Sequence, residues 1–337
     1  MGTTIKAGVC GYGALGHVHA NGLHQLPGVR IEAVCDKRPE QLTAKEVAFN
    51  VQTDAPAFDV RECRTYTDFG EMLSREKLDV VAMALPTDLH AEYAIRALDA
   101  GCHVFSEKPM ALTPAECDRM LAAARRAGRQ LMVAQCLRFW PEYEWLLGAI
   151  RDRRYGRLRS LTMERIGAYT TWSCEDWMNT PVRAGGMILD LHLHDVDWAW
   201  HALGKPRRLC AAGRRGARGG MDDVTAVWEY DETLVTLRGS WLTAGFTMDF
   251  RAIFDEATIE FGVHPDPALR LRRHGGAPDE KPPVSTESGY LRELRYFLEC
   301  VRGEHPNAVC PPESTAASVA LIAKESEAIA RGTWLEL

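Results

Sequence analysis

Three sets of residues in this chain have the types and spacing to do chemistry. Lys108 stands between Glu107 and Pro109, just past the apolar run Cys102 to Phe105. Lysine is seldom placed at a buried strand end unless it is paired or functional. There it can donate a hydrogen bond to a carbinol oxygen or take part in proton transfer. An ordinary Lys108–Glu107 surface pair is the competing reading. Asp190 and His194 lie four residues apart in a helical pattern, Met187 to Leu203, that opens on Gly185-Gly186. That spacing puts both on one helix face. His194 can then act as a general base whose charged form Asp190 stabilises. Asp197 and His201 continue the same face, while His192 and Asp195 point elsewhere. A zinc set of Asp190, His194 and Asp197 lacks a cysteine and a second well-placed histidine, so no metal is expected. A solvated polar face is the plain alternative. The third set is the loop ahead of that helix, with Tyr169, Trp172, Trp177 and Arg183. Aromatic faces and an arginine suit a polyhydroxylated ligand, although core filling or a subunit interface is the commoner use of tryptophan.

A cofactor loop near the N-terminus organises what must hold these groups. The β-prone run Ile5 to Cys10 leads into Gly11, Gly13 and Gly16, with Ala14 and Leu15 inside the G-x-G-x-x-G spacing. A helix-compatible stretch and a second apolar run, Arg30 to Cys35, follow and end on Asp36. Gly11 permits the tight turn, Gly13 lets backbone approach a pyrophosphate, and Gly16 lets the helix pack closely on the sheet. The diphosphate then rests on a helix N-terminus. Asp36 can accept hydrogen bonds from an adenosine ribose diol and would repel a 2′-phosphate, which favours NAD. Lys37 and Arg38 could neutralise such a phosphate, which leaves NADP possible.

Strands alternate with helices as far as Ala134. Helices are expected over Pro39–Phe49, Phe69–Arg75, Asp88–Ala100 and Thr113–Gly128, and strands at Thr65–Tyr66, Asp79–Leu85, Cys102–Phe105 and Leu131–Ala134. Residues 50–64 have no clear period and read as an insertion. This pattern specifies a doubly wound parallel sheet, whose ligands bind beyond the carboxyl ends of the strands. Beyond 135 the pattern changes. A helix over Pro141–Arg154 and a strand over Arg159–Ile166 precede the loop and the Met187–Leu203 helix. Strand-like runs at 207–212, 223–230, 233–242, 247–254 and 257–262 leave no room for crossover helices between them, so they are not expected to run parallel. Two helices, Tyr290–Arg302 and Ser314–Arg331, close the chain. The expected architecture is α/β: a Rossmann domain over 1–135, then an α+β domain over 136–337 with a large, mostly antiparallel open sheet. The C-terminal helix is allowed to pack back on the first domain.

At 337 residues the chain can hold two domains. Its 46% hydrophobic and 26% charged residues give an ordinary globular balance. A formal net charge of −6 argues against a nucleic-acid partner. No apolar run approaches the ~20 residues that span a membrane. Ten cysteines form no C-x-x-C pair, and several sit in apolar runs, as reduced thiols do. With a first strand starting at once and no leader ahead of it, a cytoplasmic location is expected.

Taken together, GYGALG, PTDLH at 86–90, SEKP at 106–109 and the Gly-Gly with Asp190 and His194 resemble the Gfo/Idh/MocA oxidoreductase family. That family is named for glucose–fructose oxidoreductase, inositol dehydrogenase and a rhizopine-catabolism protein. The likeness extends through AQCLRFWPEY at 134–143 and YLRELRYFLECVRGEHP at 290–306. It implies that Lys108 contacts the substrate hydroxyl and the nicotinamide, and that Asp190 and His194 are the catalytic pair. It places Leu85, Pro86, Thr87, His90, Glu107 and Gln135 along the cofactor, and Arg138 with the substrate residues. It implies an NAD(P)-dependent dehydrogenase of a sugar, sugar derivative or cyclic polyol, and a homodimer or homotetramer built through the C-terminal sheet. A redox-assisted NAD-dependent glycoside hydrolase and a non-catalytic cofactor-binding sensor are the alternatives.

Overall fold

The structure is a computed structural model and describes residues 4–43, 57–264 and 268–337. Six short runs form parallel strands: β1 (Ile5–Cys10), β2 (Val29–Cys35), β3 (Arg64–Tyr66), β4 (Val80–Met83), β5 (His103–Glu107) and β6 (Leu131–Ala134). Their order is β3-β2-β1-β4-β5-β6. The apolar strands β4 and β6 are buried throughout, as helix-covered parallel sheets require, while the edge strand β3 exposes Arg64 and Thr65. The helices are α1 (Ala14–Gln25), α2 (Phe69–Arg75), α3 (His90–Asp99) and α4 (Pro114–Ala127). Their ends follow local chemistry. Asp68 Oδ1 accepts the Glu71 amide at 2.7 Å ahead of α2, and Thr113 and Glu116 form a reciprocal capping box ahead of α4. The strand order reverses between β1 and β4, which puts the ligand crevice beyond their carboxyl ends.

Several expectations shift. β4 is shorter than 79–85, whereas β5 runs on through Glu107, which places that carboxylate inside the sheet rather than past it. The helix expected over 39–49 lies largely outside the described residues; within them, Gln41–Thr43 form one 3-10 turn. Of the 50–64 insertion, the described part holds a 3-10 turn at Val60–Glu62, capped by Asp59.

The second sheet has eight strands. The chain enters it through α5 (Pro141–Arg151) and β7 (Leu158–Ala168), then passes α6 (Pro181–Ala184), α7 (Met187–Asp190) and α8 (Leu193–Leu203). There follow β8 (Arg208–Arg215), β9 (Met221–Glu229), β10 (Leu234–Ser240), β11 (Leu242–Phe254), β12 (Ala257–Phe261) and β13 (Leu269–Arg273). Last come α9 (Gly289–Arg302), α10 (Pro312–Arg331) and the two-residue β14 (Leu335–Glu336). The order is β13-β12-β11-β7-β10-β9-β8-β14. Consecutive strands from β8 to β13 pair antiparallel wherever they are neighbours, as their short connections demand. β10 nevertheless runs parallel to β7. The helices α6–α8 lie between those two in the chain and supply the crossover that a parallel pair needs. Tyr143 centres the core beneath this sheet, with the rings of Trp198, Phe250 and Phe261 at 5.5, 5.1 and 5.6 Å.

The chain divides into two compact units, Met1–Cys136 with Glu287–Ala316, and Leu137–Thr286 with Ala317–Leu337. Within the first, α9 lies against α1 so closely that a Cβ on Gly22 would sit 2.6 Å from Leu294 Cδ1. Phe297 of α9 packs on Phe105 of β5 at 5.4 Å. Among the described residues, no helix is long and apolar enough to cross a membrane.

Candidate active site

The glycine loop of the first unit has the geometry of a nucleotide cradle. Gly11 adopts φ +84°, and a Cβ there would lie 2.3 Å from the Ala84 carbonyl oxygen. A Cβ on Gly16 would lie 2.0 Å from the Gly11 carbonyl, so α1 can approach the loop only because residue 16 is glycine. Gly13, which caps α1, has nothing within 4 Å of its Cβ position. Ala14 and Leu15 open the helix with no acid in the first turn. Open space over Gly13 and the amides of a helix N-terminus form a seat for an anion.

Asp36 is buried, 7% exposed. Its Oδ2 accepts the Tyr12 amide and its Oδ1 the Arg38 amide, at 2.8 and 2.9 Å. Each oxygen keeps lone pairs for further donors. Arg38 Nε stands 3.5 Å from the same carboxylate, so its charge is turned toward Asp36. Beyond the ends of β4 and β6, the Thr87 hydroxyl and the Gln135 amide nitrogen are buried with no hydrogen-bond partner among the described residues. Buried polar groups are normally paired, and these two fit the hydrogen-bonding groups of a dinucleotide. The first unit therefore fits the cofactor: Gly11, Gly13, Ala14, Leu15 and Gly16 would hold the diphosphate, Asp36 the ribose, and Thr87 and Gln135 its inner end.

Two residues expected along the cofactor have other work. His90 is 1% exposed, with Nδ1 2.7 Å from the Pro109 carbonyl and Nε2 2.9 Å from the Leu85 carbonyl. It braces the Leu85-Pro86 turn against the Lys108-Pro109 turn. Burial lowers its pKa, against the pull of those two carbonyls. Glu107 turns Oε1 to His19 Nε2 at 2.8 Å and accepts the Lys108 amide on Oε2 at 3.1 Å. Glu107 is thus a buried carboxylate that fixes the backbone of a half-buried Lys108.

In the second unit the helix expected over 187–203 is broken. Gly185 and Gly186 take φ +81° and +76°, conformations suited to glycine. α7 stops at Asp190, and the Leu191 and His192 amides both turn to the Met187 carbonyl, at 2.8 and 3.0 Å. The second of these is a wide, five-residue bond of the kind found in π-bulges, which recur at functional sites. α8 then starts afresh at Leu193. Asp190 is 6% exposed and His194 half-buried. A turn, and not one continuous helix, therefore separates Asp190 from His194; apolar spacing carried no sign of it.

Three residues expected near the substrate have partners within the protein. Arg138 does not reach a ligand surface: its side chain is 0% exposed and paired with Asp197. Asp197 also accepts the Ser318 hydroxyl at 2.7 Å, so the carboxylate weighed as a zinc ligand serves a buried network. Tyr169 gives its hydroxyl to Asp222, and Arg218 covers its ring at 5.2 Å. Arg183 pairs with Glu175 at 3.2 Å. Trp172 is 44% exposed and Trp177 half-buried, which leaves indole surface on this loop. Sequence reasoning missed His19 and Glu293. Glu293 had a signal, since it falls on the buried face of α9 four residues ahead of Phe297. His19 had none.

Comparison with known proteins agrees with this geometry. Residues 5–135 match the family described as an oxidoreductase family with an NAD-binding Rossmann fold, and residues 143–260 match the GFO/IDH/MocA C-terminal domain. D-apiose dehydrogenase of Paraburkholderia graminis is 32% identical over 206 residues, 61% of this chain and 51% of that protein. A glycosyl hydrolase family 109 protein of Shewanella pealeana is 28% identical over 155 residues, 46% of this chain and 34% of that protein. The chain thus spans about half or less of the length of these relatives. Among solved structures, a dehydrogenase from Bordetella pertussis in complex with NADH and UDP-GlcNAcA has a TM-score of 0.81 at 21% identity, with 99% of each chain covered. The fold is shared across that whole length. With both of its halves matched by the two domain families, the chain belongs to the Gfo/Idh/MocA oxidoreductases.

Proposed function

We propose that the protein is an NAD-dependent dehydrogenase that oxidises a secondary hydroxyl of a sugar, a sugar derivative or a cyclic polyol. The single observation that carries this reading is that one chain holds both the dinucleotide cradle of Gly11, Gly13 and Gly16 and the trio Lys108, Asp190 and His194. A bound nicotinamide supplies the hydride acceptor, at its C4. His194 takes the hydroxyl proton on its imidazole, and Asp190 stabilises the imidazolium. Lys108 Nζ donates a hydrogen bond to the carbinol oxygen and favours its alkoxide character. The cradle and the brace at His90 pre-position the reactants, which supplies much of the rate. Trp172 and Trp177 offer indole faces to a sugar ring.

The carboxylate of Asp36, with Arg38 turned toward it, supports NAD over NADP. Apolar side chains exposed on β10 and β11, Leu234, Leu242, Phe246 and Ile253, support a homodimer or homotetramer formed through the second sheet. All ten cysteines are free thiols, which supports a reducing, cytoplasmic compartment.

The test follows absorbance at the reduced-nicotinamide band while the protein and NAD meet a panel of sugars, inositols and glycosides. NADH formed with one of them, and lost in Lys108→Ala, supports the dehydrogenase. The second reading is a redox-assisted hydrolase; one relative is named as a glycosyl hydrolase. Glycosides cleaved without net NADH would establish it instead. Cofactor binding with no turnover of any kind would favour the sensor.

A further inference from the structure

His192 lies between Asp190 and His194 in the chain, and nothing in the proposed chemistry uses it. Its side chain is fully buried. The ring enters a slot on β10 that glycine keeps open: a Cβ at Gly239 would lie 2.8 Å from His192 Cβ and 3.0 Å from its Nδ1. His192 Nε2 lies 2.9 Å from Oε2 of Glu325 on α10. The other oxygen of that carboxylate, Oε1, accepts the Trp228 indole N–H at 2.8 Å. Trp228 and Glu325 are also fully buried. A buried carboxylate is costly unless donors satisfy it, and here one donor comes from β9 and the other from the α7–α8 turn. Glu325 therefore ties that turn to the sheet.

The turn so held is the wide one. The amide of His192 itself makes the five-residue bond to Met187 that ends α7. One residue more or less in a helical turn rotates everything beyond it by roughly 100°. The direction in which His194 points, relative to Asp190, depends on the turn keeping its width.

We infer that Glu325 is a positioning residue: it anchors His192, His192 holds the wide turn, and the turn sets the aim of His194 relative to Asp190. The inference rests on the proposed roles of Asp190 and His194, and its test separates the two. Four full-length variants serve. Glu325→Gln keeps volume but weakens the acceptor, and His192→Leu removes the donor. His192→Gln restores an amide N–H near the place of Nε2, and His194→Gln assigns the His194 signals. The first readout, which needs no substrate, is the imidazole 1H–15N spectrum of histidine-labelled protein. Glu325→Gln and His192→Leu are expected to move the His194 ring signals, with His192→Gln returning them toward the native position. The second readout is kinetic, on the substrate found by the panel: kcat is expected to fall about tenfold or more with KM for NAD within about twofold, because orientation and not cofactor binding is lost. A passive core plug would lower stability in the Glu325 and His192 variants and leave both readouts unchanged. Folded Glu325→Gln and His192→Leu proteins with native His194 signals and native kcat would overturn the inference. If Glu325→Gln fails to fold, Trp228→Phe replaces it and removes the other donor. Full turnover by His194→Gln would refute the proposed base, while the spectra decide the positioning on their own.

Discussion

Arg138 and Asp197 form a bidentate pair with almost no exposed surface: Nε donates to Oδ2 at 2.8 Å and Nη2 to Oδ1 at 2.7 Å. Breaking a buried pair from one side leaves an uncompensated charge, which costs about 3–5 kcal/mol. Asp197→Ala should lower the unfolding free energy read from denaturation curves by that much, and Arg138→Met should do less harm than Arg138→Ala because it fills the space. Should folded Arg138→Met instead lose substrate affinity selectively, the arginine would belong to the ligand site after all.

Thr87 offers a variant whose two effects have opposite signs. Its hydroxyl is buried and unpartnered in the protein alone, so Thr87→Val should leave the protein as stable, or raise stability by about 1 kcal/mol. The same change should weaken NADH binding several-fold. Thermal melts with and without cofactor measure both. Weaker stability with unchanged NADH affinity would mean that Thr87 does not meet the dinucleotide.

Gly16→Ala puts a methyl 2.0 Å from the Gly11 carbonyl. Backbone must move to admit it, so NADH affinity should drop about tenfold or more, the cost of lifting the helix N-terminus off the diphosphate. Calorimetric titration of NADH reads this. Gly13→Ala meets no protein atom within 4 Å; its effect should appear on binding alone, with the melting temperature unchanged.

Glu293 predicts a pH dependence. It has no exposed surface, and neither carboxyl oxygen has a hydrogen-bond partner among the described residues. Burial, and then the charge of Glu107, pushes its carboxyl well above the usual carboxylate range. A raised pKa means that the folded protein holds the proton longer than the unfolded chain. The stability it contributes is therefore fully present below the ordinary glutamate range and is lost as pH rises from there through the folded value. Glu293→Gln should be nearly neutral at acid pH and stabilising by about 1–3 kcal/mol at pH 8, where the native acid would have to ionise in a dry site. Denaturation curves across pH settle the point; parallel pH profiles for the two proteins would rule the account out.

Lys108→Ala and His194→Ala should each lower kcat by about 100-fold or more on the true substrate, the usual worth of a positioned proton-transfer group. NADH binding should survive in His194→Ala. Stopped-flow traces of NADH formation give the rates, and a fluorescence titration with NADH gives the binding.

What was legible in the sequence was local. The strand, the glycine spacing and Asp36 fall within one βαβ stretch, so neighbouring residues dictate their geometry. The buried pairs did not read so easily. Arg138 and Asp197 are 59 residues apart, and His19 and Glu107 are 88 apart. No period links residues that meet only when strands or helices pack. His90 and Arg138, which the family likeness set along the ligands, find carbonyls and a carboxylate as partners through such packing. The break at Leu191–His192 was hidden for a related reason, since apolar spacing is the same on either side of a widened turn.

The first unit is not contiguous in the chain: the helix that covers Gly22 and Phe105 belongs to Glu287–Ala316. A ribosome releases the nucleotide-binding segment about 150 residues before it releases α9, and in that interval Phe105 and the groove at Gly22 lack their cover. The nascent chain must shelter an unfinished apolar face while the whole second sheet is made. Cutting the gene at residue 136 would make that exposure permanent, so the cofactor domain cannot be borrowed as a module without its distant helix.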